Sequence, residues 1–315
     1  RRRLIFEMEE GPSSGTGNSA GFSSEDEDQE IAVQRDLKDR FERQRIMSLT
    51  MGGETVSGPW TLTYSGSWAK STERENGSID PVVFERKFEN GDDFGVIFDY
   101  ADEKRPAYSI TSGQAAFLDP SEYEFDELER TTLSDAKDEE FALKADVAHK
   151  FAMVGGEFTV QAGAKARWRT KSYNAQVDVY DGFEDDLTLA DFEGEQDYDL
   201  ADINPVVSKT SFGSFYNSNS GGFELNPLDT LEKSAESDYG VDEDVIAGYL
   251  LGRWDSSTLR VIAGVRVEHT KNQISGNILT FIPEEEDDEG EVIQEEGIDV
   301  TTQRFERSYT DWLPS

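Results

Sequence analysis

"FTVQAGAKARWRT", residues 158–170, sets Phe158, Val160, Ala162, Ala164, Ala166 and Trp168 at alternate positions, with Thr159, Gln161, Lys165, Arg167 and Arg169 between them. Successive side chains of a β-strand point to opposite faces, so this stretch predicts a strand with one apolar and one polar face. Two surroundings suit such a strand. In a soluble sandwich the apolar face enters the core; in a membrane barrel it meets lipid, while the polar face lines a wet interior.

The alternation recurs along the chain. In "WTLTYSGSWAK", Trp60, Leu62, Tyr64 and Trp68 alternate with Thr61, Thr63, Ser65 and Ser67. A preceding strand through "RFERQRIMSLTMGG" turns at "SGP" to give a hairpin near 41–70. A second hairpin, near 139–173, joins "EFALKADVAHKF" to the opening stretch across "AMVGGE", where Gly155 and Gly156 can take the positive φ of a tight turn. A third, near 243–271, joins "DVIAGYLLGRW" to "TLRVIAGVRVEHT" across "DSS". There Leu259, Val261, Ala263, Val265 and Val267 share a face, and Arg260, Arg266 and Glu268 point the other way. Residues 2–8 predict a further strand ahead of a Gly/Ser loop, and "RFERSYTDWL" opens a fourth hairpin.

Turns inside the hairpins take a few residues. The links near 75–138, 174–242 and 271–302 run instead to roughly 60 to 70 residues twice and roughly 30 once, against a usual 2 to 6. Short turns at one end and long loops at the other mark an outer-membrane barrel, with short periplasmic turns and long extracellular loops. Charge is divided the same way: residues 181–202 and 284–299 carry acids and no base, whereas the opening strand carries three bases and no acid.

Composition narrows the function. A formal charge of -37 and a pI near 4.2 argue against a nucleic-acid partner, because a binding surface must neutralise phosphates with Lys and Arg. With no cysteine and only His149 and His269, neither thiol chemistry nor a His-rich zinc site is expected. No run of about eighteen apolar residues encodes a transmembrane helix, which leaves a barrel open, since its strands need only about 9 to 11 alternating residues. The chain begins without Met or a signal core and ends inside a strand pattern, so it reads as an internal piece of a longer barrel domain, 1–315, with no second domain.

Energy fixes the register of that barrel. An Arg or Lys facing lipid near the bilayer midplane costs about 2–4 kcal/mol, and a one-residue slip would turn Lys165, Arg167 and Arg169 outward together. Thr159, Gln161, Lys165, Arg167, Arg169, Arg260, Arg266 and Glu268 are therefore expected to line the lumen. Trp60, Trp68, Trp168 and Trp254 are expected in the aromatic girdles of the membrane.

The order of "DEEFALKADVAHKF", "EDVIAGYLLGRWDSSTLRVIAGVRVEHTKNQISG" and "RFERSYTDWLPS" resembles the barrel portion of TonB-dependent outer-membrane receptors, particularly the subgroup of Caulobacter- and Xanthomonas-like bacteria. Gly264 to Thr270 resembles that family's G-V-R-x-E-x-T strand, and Trp312 to Ser315 the start of its "WLPS" strand. The resemblance implies an all-β antiparallel transmembrane barrel of about 22 strands. It also implies an N-terminal plug and a segment engaging TonB, neither of them within these residues. The partners it implies are TonB, outer-membrane lipid and lipopolysaccharide, and a scarce ligand, an oligosaccharide or a ferric siderophore. Import by energised gating in the outer membrane of a Gram-negative bacterium is the expected function, and it is not enzymatic. The competing expectation is a secreted, acidic, soluble all-β module that binds carbohydrate or builds a surface layer.

In "SFGSFYNSNSGGFELN", Phe212, Phe215 and Tyr216 stand beside Asn217 and Asn219, rings and amides that suit stacking and hydrogen bonding to a ligand; packing of the loop on itself is the plainer alternative. The acidic runs lack the spaced D-x-[DN]-x-[DN]-G pattern of a calcium loop, and neither a phosphate loop nor a G-x-S-x-G elbow occurs. No cofactor, metal or catalytic residue is expected. An acidic mouth favours sugars or neutral oligomers over anionic siderophores unless local arginines offset it.

Overall fold

A computed structural model describes residues 1–25, 29–89, 91–197, 201–286 and 292–315. Parts of both acidic runs and the end of the Gly/Ser loop lie outside the described residues. In chain order the strands are β1 (Arg2–Met8), β2 (Ser19–Ser23), β3 (Ile31–Asp39), β4 (Glu42–Ser57), β5 (Trp60–Glu75), β6 (Ser78–Phe88), β7 (Gly95–Asp99), β8 (Ala107–Ser112) and β9 (Glu124–Met153). There follow β10 (Gly156–Phe183), β11 (Glu193–Gly194), β12 (Val206–Val207), β13 (Phe223–Leu225), β14 (Tyr239–Ser256), β15 (Arg260–Ile282), β16 (Glu285–Glu286), β17 (Val292–Gln294) and β18 (Gly297–Pro314). Three short helices, α1 (Gln114–Leu118), α2 (Lys209–Asn219) and α3 (Pro227–Ala235), complete an all-β chain of antiparallel sheets. No helix is long and apolar enough to cross a membrane.

The chain divides into two compact units, 1–41 with 77–132 and 177–230, and 42–76 with 133–176 and 231–315. The second unit holds a meander in the order β4-β5-β9-β10-β14-β15-β18. Its hairpins turn over Gly58–Pro59, Val154–Gly155 and residues 257–259. Gly58 (φ +57°) and Gly155 (φ +88°) supply the left-handed conformations that let so few residues reverse the chain, while Gly156 does not take a positive φ. Strands run beyond the hairpin limits expected from sequence: β9 and β10 reach Glu124 and Phe183, and β15 reaches Ile282. The physical reason is that the polar alternation continues past the apolar band and the ladder continues with it. Asp255 and Ser256 pair within β14, so the third turn begins later than "DSS". Among the described residues β4 pairs only with β5 and β18 only with β15, so the sheet has two free edges and does not close.

The first unit occupies much of what composition marks as long loops. Its sheet runs β1-β3-β6 onto the first residues of β9, and a smaller sheet runs β2-β7-β8. Ile31, Val33 and Leu37 of β3, Ile79, Val82 and Phe84 of β6, and Leu128 of β9 are buried in one cluster with Phe94, Phe117, Phe192, Phe212 and Phe223. Turn-rich segments thus carry a packed aromatic core of their own, which explains why they fold although their overall composition is acidic.

Candidate functional site

In the second unit the registers put the predicted lumen residues on one face. Thr159 pairs with Arg253, Gln161 with Leu251, Lys165 with Ala247, Arg167 with Val245 and Arg169 with Glu243; across the next ladder Tyr249 faces Arg266 and Ala247 faces Glu268. Directly opposed residues of an antiparallel pair share a face, so Arg260, opposite Asp255, belongs to the same side. The face is laced by ion pairs. Arg167 bonds Glu243, Arg169 Nε donates to Asp138 Oδ1 at 2.8 Å, Arg260 bonds Asp255, and Arg266 Nε donates to Glu268 at 3.0 Å. At its middle Tyr249 donates its hydroxyl to Asp146, which also lies 2.8 Å from Lys144 Nζ, and Gln161 Nε2 donates to Tyr249 at 2.7 Å. Gly163 sits opposite Tyr249, and a Cβ there would overlap the ring and Asp146 Oδ1. The glycine is what lets the aromatic ring lie across the sheet.

The other face is apolar and bare. Leu143 is 58% exposed, Ile246 61%, Leu250 54% and Trp60 53%, in strands whose polar partners are paired on the opposite side. Its aromatics fall at two levels. At the tight-turn end, Trp60 stacks edge-on to His149 at 4.4 Å, Phe151 lies 6.4 Å from Phe158, and Trp254 pairs with Phe158. At the far end, Trp68 pairs with Phe141, and Phe141 and Trp168 flank one apolar depression. Ten residues separate Phe158 from Trp168 in one strand, roughly 33 Å of chain at about 3.3 Å per residue; a strand inclined at the roughly 40° of barrel strands would project this to roughly 25 Å.

In the first unit the predicted ligand residues lie on helix α2 rather than in a loop, started by Ser208, whose hydroxyl accepts from Ser211 N at 3.3 Å. Phe212, Phe215 and Tyr216 take helical spacing and turn inward: Phe212 is 0% exposed, Phe192 lies 5.2 Å from it and 5.0 Å from Phe215, and Phe223 lies 5.3 Å from Tyr216. Asn217 and Asn219 are exposed, and Asn219 Nδ2 donates to Phe215 O at 2.9 Å within the helix. The rings are therefore spent on the core, and the structure does not bring them together with the amides on an open surface.

The unit does contain a cavity of about 570 Å³ elsewhere, lined by Lys104, Arg105, Tyr108, Gln114, Phe117, Asp202 and their neighbours. Sequence reading passed over it. Behind Phe117 lies Arg35, which on β3 takes the place that alternation with Ile31, Val33 and Leu37 reserves for an apolar side chain. Arg35 is 1% exposed; it donates to Ile203 O at 2.9 Å and to Phe117 O and Tyr123 Oη at 3.2 Å, with its guanidinium 4.4 Å from the Phe117 ring. Burial lowers its pKa and raises those of Tyr108 and Tyr123, which remain protonated donors. A lone Arg in an apolar alternation was the available signal. Comparison of the chain with protein-family models, curated proteins and solved structures found no match.

Proposed function

We propose that the second unit is part of the wall of an outer-membrane β-barrel, and that the chain serves a TonB-dependent receptor that imports a scarce ligand, an oligosaccharide or a metal chelate, through a plugged lumen. The observation that carries this reading is the bare apolar face of the seven-strand meander, bounded by two aromatic levels and backed by an ion-paired polar face. An exposed apolar patch of this extent marks a lipid or protein partner, and its height matches lipid. The free edges of β4 and β18 would be covered by further strands of the barrel, since hydrocarbon does not tolerate open edges. In this reading the first unit stands in water and meets the ligand, and TonB acts through a plug.

The test is to express the full-length protein in a Gram-negative host, with TonB intact or deleted. Recovery in the outer-membrane fraction and TonB-dependent growth on a panel of glycans and iron chelates are expected. Secretion of a soluble protein would overturn the reading in favour of a carbohydrate-binding or surface-layer module.

A further inference from the structure

The cavity of the first unit is lined by two cations, Lys104 and Arg105, against one acid among the described residues, Asp202, in a chain of formal charge -37. Lys104 and Arg105 stand exposed at its rim, and among the described residues no ion pair engages either. Arg35 adds a third cation behind the wall, bonded to carbonyls and a phenol rather than to a carboxylate, so its charge is not cancelled by a bonded acid. The acid in the lining is Asp202, and it is engaged: Oδ1 accepts from Asn204 N at 3.1 Å and Nδ2 at 2.9 Å, while its carbonyl accepts from Tyr108. Tyr108, Ile110, Phe117 and Leu118 give the cavity an apolar wall, and Gln114 stands exposed in its lining. Asp102 and Glu103 precede the two cations in the chain, Asp102 Oδ1 accepting from Lys104 N at 3.0 Å, but neither lines the cavity.

We propose that this cavity binds a small carboxylate-bearing molecule, its acid group held by Lys104 and Arg105 and its ring or apolar body laid against Tyr108 and Leu118. The volume suits a molecule of one or two rings. The proposal names the ligand class for the receptor function above and rests on it, but it concerns binding by the first unit alone. It reverses the preference for neutral ligands drawn from net charge, because among the described residues the cavity is lined by two cations and a single acid, Asp202.

The experiment measures binding to the purified full chain in detergent with two probe pairs: salicylate against salicylamide, and digalacturonate against galactobiose. Tighter binding of an acid than of its uncharged partner by about tenfold or more is expected, together with loss of that margin in a Lys104→Ala/Arg105→Ala variant whose unfolding midpoint is unchanged. Salicylate alone would identify an aromatic acid as the source of the carboxylate, digalacturonate alone an acidic sugar. Equal binding of acid and neutral partner, no binding of either acid, or a margin that survives the double variant would overturn the proposal. None of these outcomes depends on TonB or on membrane location, so this failure and that of the receptor reading are told apart.

Discussion

Tyr249 and Asp146, 103 positions apart in sequence, meet on the polar face of the second unit, the phenol donating to the carboxylate across Gly163. The contact ties β9 to β14 over the intervening β10, so it links strands that share no ladder. Tyr249→Phe removes one bond to a carboxylate that keeps Thr63 and Lys144, and leaves the Gln161 amide without its acceptor. A loss of about 1–2 kcal/mol in urea unfolding of the folded protein in detergent is expected. Gly163→Val, which puts a branched side chain into the ring, should cost more.

The two faces of β10 should respond oppositely to charge. Ala164→Arg places a cation on the apolar face midway between the aromatic levels, which on the proposed membrane reading costs about 2–4 kcal/mol, whereas Gln161→Arg adds one to a face already rich in them. Outer-membrane levels of the full-length variants should fall for the first and hold for the second. Equal loss in both would contradict the assigned register.

Phe212 sits at the centre of the aromatic cluster of the first unit, and Asn217, five positions on in the same helix, is exposed. Phe212→Ala should destabilise that unit by about 3–5 kcal/mol, seen as faster proteolysis within residues 177–230. Asn217→Ala should change little, within about 0.5 kcal/mol.

Asp119 caps the short turn at Pro120–Glu122, its Oδ1 accepting from Ser121 N at 3.0 Å and from the Ser121 hydroxyl at 2.6 Å, and these bonds lower its pKa below the ordinary carboxylate value of 3.8. A carboxyl depressed in the folded state stabilises above its unfolded pKa and loses that contribution as pH falls through the folded value. Thermal unfolding of the wild-type chain and of Asp119→Ala should therefore differ at neutral pH and converge in acid, below the ordinary carboxylate range.

The second unit was legible because each of its strands meets two different environments, so the sequence alternates wherever the strand does. Val160 and Lys165 announce their faces one strand at a time. The first unit was not, because its strands are short, its turns polar, and its core assembled from residues as distant as Phe84 and Phe212. Helix α2 hid for a related reason: Gly213 and Ser214 between the rings and Asn217, Ser218 and Asn219 after them are residues of turns, and the three rings read as a sticky loop. Arg35 shows the limit from the other side, since a cation in an apolar alternation argues against burial until Tyr123 and two carbonyls are seen to receive it. The ladder of ion pairs across β9, β10, β14 and β15 was foreseen as a face but not as partners, because pairing needs the register and the register needs the turns.

The central claim is that the apolar face of β10 meets lipid. Single cysteines at alternate positions from Phe158 to Arg169 of the full-length protein, in outer membranes, would be labelled with a membrane-impermeant and a lipid-soluble reagent. The account predicts that Val160, Ala162, Ala164 and Ala166 positions react with the lipid-soluble reagent alone, and Gln161, Lys165 and Arg167 positions with the aqueous one. Protection of the first set from both reagents would mean that the face is buried in protein, and the membrane account would fall.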